Sequence, residues 1–120
     1  MSDLMKMSDA LAKFNASIKN WRLTPNETSI LLGISKFEFI EIQNIPELSI
    51  DSPLYNCMNL IYQINEALSR VSPDGAFDHF LNHPYPDSPL SGMSIREFLI
   101  KNPNIESYKI IFNWLMGILV

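Results

Sequence analysis

Two histidines, His79 and His83, stand four residues apart in the stretch FDHFLNHPYPDSPL, with Asp78 and Asp87 close by. On a helix that spacing puts two imidazoles on one face, and a pair so placed can share a metal. Pro84 argues against it. The residue before a proline is pushed out of α geometry, so helical geometry is disfavoured at His83. No HExxH pattern and no third ligand at a defined spacing accompanies the pair. The expectation is two polar residues at a helix end, with no metal and no other cofactor. Other residues capable of catalysis are present but unarranged. There is no GxGxxG, P-loop or GxSxG, and Gly33, Gly75, Gly92 and Gly117 are too scattered to cradle a phosphate. The single cysteine, Cys57, lies beside Met58 and Leu60 in a helical pattern. A lone thiol there makes no internal disulfide and reads as a small buried hydrophobe. These residue types do not assemble into an enzyme.

The histidines lie where a short apolar stretch, Phe77, Phe80 and Leu81, runs into a loop punctuated by Pro84, Pro86 and Pro89. The loop closes at Ser91-Gly92, and Ser94 with Glu97 three residues on opens a capped helix. Upstream, Leu4, Met7, Leu11, Phe14, Ile18 and Trp21 recur at steps of three and four, which predicts a helix over residues 3–21. Thr24-Pro25-Asn26-Glu27 is a capping box with proline at the first helical position, and Gly33 ends that helix. Ser35 with Glu38 starts another helix, to about Gln43. This reads as helix, turn, helix, with Ile30, Leu31, Ile34, Phe37 and Ile40 as its core. Asn44–Asp51 is a connector. From Ser52-Pro53, the residues Leu54, Cys57, Met58, Ile61, Ile64, Leu68 and Val71 form the apolar face of a long central helix. The chain therefore reads as an all-α domain of about seven helices, with an N-terminal region 1–51 and a C-terminal region 52–120.

Size and composition agree. A chain of 120 residues, 47% hydrophobic and 18% charged, folds around one core and is too apolar for disorder. The N-terminus carries Asp3 and Asp9 and no apolar run, so it does not read as a signal peptide. The longest apolar run, Ile110–Val120, includes Asn113 and is half the roughly 20 residues a membrane span needs. A cytoplasmic protein without a membrane partner is expected. Net charge is −4, so DNA binding would have to rest on a local basic patch. The second helix of the helix–turn–helix offers one cation, Lys36, against Glu38 and Glu41. With Arg22, Ser35 and Gln43 it forms a poorly equipped candidate DNA contact. The last helix is apolar around most of its circumference, from Ile105 to Val120. A helix of that kind must bury more than one side; a second chain, in a homodimer, is the expected cover, and the alternative is a core helix of a compact monomer.

The chain resembles antitoxins of the Xre/MbcA/ParS-like group, the partners of RES-domain toxins. Leu23–Ser35, LTPNETSILLGIS, is similar to the start of an Xre-type helix–turn–helix, with Ser29 where alanine is usual. Phe80-Leu81 stands for a Trp-Leu pair, Pro84 for the proline of the following turn, and Leu90-Ser91-Gly92 for a Leu-Gly-Gly element. Ser94 stands for the helix start and Gly117 for a glycine near the end. Tyr85 replaces an asparagine and Ile95 a proline. The resemblance implies an antitoxin that covers the active site of an NAD-consuming toxin and, in related systems, represses its own operon. The toxin contact it implies falls on Gly92, Met93, Ser94, Arg96, Trp114, Gly117, Leu119 and Val120. Arg96 would pair with a toxin carboxylate or simply solvate the surface. The alternative is a helix–turn–helix regulator without a toxin.

Overall fold

The computed structural model describes residues 4–42, 47–49 and 52–119. Among them the protein is all-α, with seven helices: α1 (Met7–Trp21), α2 (Pro25–Leu32), α3 (Lys36–Ile42), α4 (Pro53–Val71), α5 (Phe77–Asn82), α6 (Ile95–Lys101) and α7 (Ile105–Leu119). No helix among these residues is long and apolar enough to cross a membrane.

The first helix departs from expectation at its start. It begins at Met7, and Leu4–Lys6 instead pair antiparallel with Glu47–Ser49, Met5 opposite Leu48. Helical spacing in Leu4 and Met7 says nothing about a competing partner further along the chain. Pairing satisfies the backbone groups of both short segments at once, which fraying helix ends leave open.

α4 is the centre. Met58, Ile61, Ile64, Ala67 and Leu68 are buried, and α1 and α7 pack on them through Leu11, Phe14, Trp21, Tyr108, Ile111 and Leu115. Each such side chain contributes about 1.5–3 kcal/mol by leaving water. Asn65 sits within that apolar surface. Its Oδ1 accepts from the Trp21 indole N–H at 3.1 Å and from Asn20 at 3.2 Å, so the buried polar groups of α1 and α4 satisfy each other.

The caps form largely as the sequence predicts. Thr24 and Glu27 exchange both bonds of a capping box, as do Ser35 and Glu38. Ser94 caps Glu97, but no reciprocal bond comes back, because Glu97 reaches Lys101 at 3.4 Å instead. Gly33, at φ 69°, closes α2: its N–H bonds Ile30 O and the Ile34 N–H bonds Ser29 O. The same turn ends α1, but with Arg22 at φ 54° in the glycine position.

α3 corrects the expected core. Leu31 is buried, yet Phe37 is 80% exposed and Ile40 61% exposed. The helix carries two apolar faces, Phe37/Ile40 and Phe39/Ile42. Only one can turn inward, and Ile42 and Phe39 take that place.

Candidate protein-docking surface

The proline-punctuated segment is built from its own backbone bonds. His83 ends α5 with its N–H still on His79 O at 2.8 Å, then turns extended (ψ 133°) into Pro84. The Tyr85 N–H bonds Met93 O at 3.1 Å, and the Gly92 N–H bonds Tyr85 O at 2.6 Å, which ties the two ends of the loop together. Asp87 O accepts from Leu90 and Ser91. Leu90 is fully buried and anchors the loop to the core. The closure needs two consecutive positive φ values, Ser91 at 50° and Gly92 at 95°. A side chain at position 92 would meet open space but a strained backbone.

Tyr85 links this loop to α7. Its hydroxyl donates to Phe80 O at 3.0 Å, and its ring meets Trp114 edge-on at 5.3 Å. Burial pushes its phenol above the ordinary range. On α7 the buried face is Tyr108, Ile111 and Leu115. The neighbouring row at steps of four, Ile110, Trp114 and Ile118, remains 45% exposed, half-buried and 53% exposed respectively. So the apolar circumference read from the sequence resolves into one buried face and an open flank beside the loop. Gly117, exposed one turn beyond Trp114, adds a spot where the backbone is bare.

Of the residues expected to meet a toxin, Gly92 and Met93 belong to the loop closure, and Tyr85 brings Gly92 to the Trp114 side of α7. Ser94 is occupied as the α6 cap. The backbone of Leu119 ends α7, while its side chain and Val120 lie outside the described residues. Arg96 is committed inside the molecule. Its guanidinium donates to Trp21 O, to Arg22 O at 3.2 Å, and to both carboxylate oxygens of Glu27 at 2.6 and 3.3 Å. Four of its five donors are used, and neither reading made for it, a toxin contact or a freely solvated cation, describes a side chain only 21% exposed. Burial alone would raise the Glu27 pKa. The Thr24 N–H bond, then the hydrogen bond and charge of Arg96, outweigh it and hold the carboxyl below its ordinary 4.5.

Tyr108 performs the matching task at the other end of α2, its hydroxyl donating to Leu31 O at 2.6 Å. Burial, with the neighbouring Cys57 thiol, pushes that phenol far above its usual range. One partial signal for these bonds was legible in the chain: a tyrosine on an otherwise aliphatic helix face needs a partner for its hydroxyl. Arg96 and Glu27, 69 residues apart, gave none.

The candidate DNA contacts are spread out. Arg22 is exposed and pairs with Asp78 at 3.3 Å. The Ser35 hydroxyl is spent on its cap, Lys36 is exposed next to Phe37, and Gln43 lies outside the described residues. His83 has the extended backbone expected before Pro84, ψ 133°, yet the two histidines stay together. Their rings stack at 4.8 Å, and His83 meets Tyr85 edge-on at 5.5 Å. Among the described residues no three His, Cys, Asp or Glu side chains converge on a common point.

No protein-family model matches the chain, and a search of the curated proteins finds no match to it.

Proposed function

We propose that this chain is a protein-binding module that neutralises a partner enzyme, docking through the loop around Tyr85, Gly92 and Met93 and the open flank of α7. The observation that carries the reading is the row Ile110, Trp114 and Ile118, apolar, with both isoleucines exposed and the tryptophan half-buried between them, beside a loop already fixed by its own hydrogen bonds. A surface so prepared loses little freedom on binding, and an aromatic at its centre supplies the kind of anchor that dominates interfaces. The resemblance to Xre/MbcA/ParS-like antitoxins names the partner class, an NAD-consuming RES-domain toxin. Occlusion of the partner's active site needs no catalytic group on this chain.

The test is a pull-down of the tagged full chain from its native cells, repeated with Ile110→Glu/Ile118→Glu, followed by an assay of the captured protein for NAD consumption. The reading expects a stoichiometric protein, lost with the double variant, whose NAD consumption is suppressed while the chain is bound. Capture of DNA alone, of nothing, or of a partner indifferent to the double variant overturns it. Light scattering on the isolated chain separates a second copy on this flank, as a homodimer, from a different protein.

The order helix, Gly33 turn, helix supports a second reading, a DNA-binding regulator. It expects DNA affinity that falls steeply with salt and is lost on Lys36→Glu. The exposed Phe37 and Ile40 beside Glu38 and Glu41 count against it, since phosphates need donors.

A further inference from the structure

We infer that His79 and His83 form a chelating pair for a borderline divalent transition cation, independent of the docking reading. The objection from sequence was the proline. Pro84 acts one residue too late to separate the rings. The His83 N–H still bonds His79 O at 2.8 Å, and only the ψ of His83, 133°, leaves the helix. Its Cα–Cβ bond therefore keeps helical register, one turn above His79, and the two imidazoles lie 4.8 Å apart and 28° from parallel. Chelation turns the stacked rings toward one another about χ1 and χ2, so that one nitrogen of each faces a common ion. Both residues are exposed, so a hydrated cation reaches them without opening the fold.

The donor set selects the ion. Neutral imidazoles suit Cu²⁺, Ni²⁺ and Zn²⁺ and not Ca²⁺ or Mg²⁺, and affinity rises toward Cu²⁺. Asp78 is not available as a third ligand, since it faces Arg22 at 3.3 Å. Two protein ligands leave the remaining positions to water, or to a group brought by another molecule, which is the layout of an open site and not of a closed structural one. Tyr85, edge-on to His83, and the bond from the Tyr85 hydroxyl to Phe80 O back the second histidine with a fixed wall.

The position provides its own reporter. Steps of 5.5 Å from His83 to Tyr85 and 5.3 Å from Tyr85 to Trp114 put that indole within about 11 Å of the His83 ring. Bound Cu²⁺ quenches an indole at that range. The experiment uses the untagged full chain, stripped with a chelator, titrated with Cu²⁺ and separately with Zn²⁺ at pH 7.5, reading calorimetry and tryptophan emission. One site is expected, with quenching by Cu²⁺. His79→Gln and His83→Gln each weaken it at least about tenfold, because a two-ligand chelate reverts to a single ligand. Retained helix content in both variants shows that the loss is of ligands and not of fold. Cys57→Ser leaves the binding intact. Equal binding by wild type and the double histidine variant, or loss of binding in Cys57→Ser, overturns the inference.

Discussion

Two apolar surfaces stay uncovered, and they are held in opposite ways. On α7, the row Ile110, Trp114 and Ile118 stands on a helix fixed by distant residues: Tyr108 reaches Leu31 on α2, and Trp114 meets Tyr85 of the loop. The adjoining α6 is fastened to the end of α1 and the start of α2 by Arg96. On α3, Phe37 and Ile40 stand on seven residues held by a capping box within its own first turn and by Phe39 and Ile42 beneath. Long-range bonds make a surface rigid, and rigidity is what a docking site needs to bind without a large ordering cost. Exposure alone would rank the two the other way, with Phe37 at 80% above Ile118 at 53%.

The largest expected effect comes from breaking the longest clamp. Arg96→Met removes four hydrogen bonds, leaves the Glu27 carboxylate to the Thr24 N–H and frees the carbonyls at the end of α1. Bonds to charged groups contribute about 1.5–3 kcal/mol, and a loss of that order in denaturant melts is expected. Glu27→Gln costs less, and its cost depends on pH. The Glu27 pKa is lowered in the fold, so its contribution is fully present above the unfolded value near 4.5 and is lost as pH falls through the folded value. The difference in stability between wild type and Glu27→Gln should therefore shrink below about pH 4.5 and vanish in stronger acid. If Arg96→Met melts like wild type, the contrast between clamped and local surfaces fails.

Tyr108→Phe comes next. It leaves Leu31 O buried without its donor, and a loss of about 1–2 kcal/mol is expected. Hydrogen exchange should speed first in the last turn of α2 and leave the loop around Tyr85 protected, since the loop closes through its own backbone.

The sharper comparison is between two turns of the same form. α1 and α2 both end with the pair of bonds that requires a left-handed residue, supplied by Arg22 in one and Gly33 in the other. Gly33→Ala should cost about 1 kcal/mol. Arg22→Gly should hold stability or raise it by up to about 1 kcal/mol, since it relieves the strained φ and gives up only an exposed ion pair to Asp78. Thermal melts of the two variants should move in opposite senses or, for Arg22→Gly, not at all. A large loss on Arg22→Gly would mean that the Arg22 side chain, and not the Arg96 clamp on its carbonyl, holds that corner.

This pair also shows what the sequence makes legible. Local rules carry their own signals: Thr24 with Glu27, Ser35 with Glu38, Ser52 before Pro53, Gly33 after Leu32. Those boundaries could be read to within a residue, as could the α4 face. What could not be read depends on chain distance. The pairing of Leu4–Lys6 with Glu47–Ser49, the Arg96 clamp and the Tyr108 bond each join segments more than 40 residues apart. No spacing rule reaches across that gap. α3 failed for a different reason: with Phe37/Ile40 and Phe39/Ile42 on two faces, periodicity is ambiguous, and packing against α2 decides. For the site, Gly92 and Trp114 were legible as loop closure and apolar flank, whereas Tyr85, which joins them, looked like a substitution.

The smallest effect expected is at α3, and it tests the comparison from the other side. Phe37→Ser removes a side chain that is 80% exposed, so it gives up little burial and leaves no cavity. A change within about 0.5 kcal/mol is expected, as for surface positions away from special features. Any partner docking on α7 as proposed should bind equally well. The informative variable is concentration. If a second copy covered Phe37 and Ile40, wild-type melting would rise with protein concentration, and Phe37→Ser would abolish that rise. Flat melting for both proteins leaves α3 a bare face on a locally held helix and is consistent with the proposal that docking falls to the flank of α7.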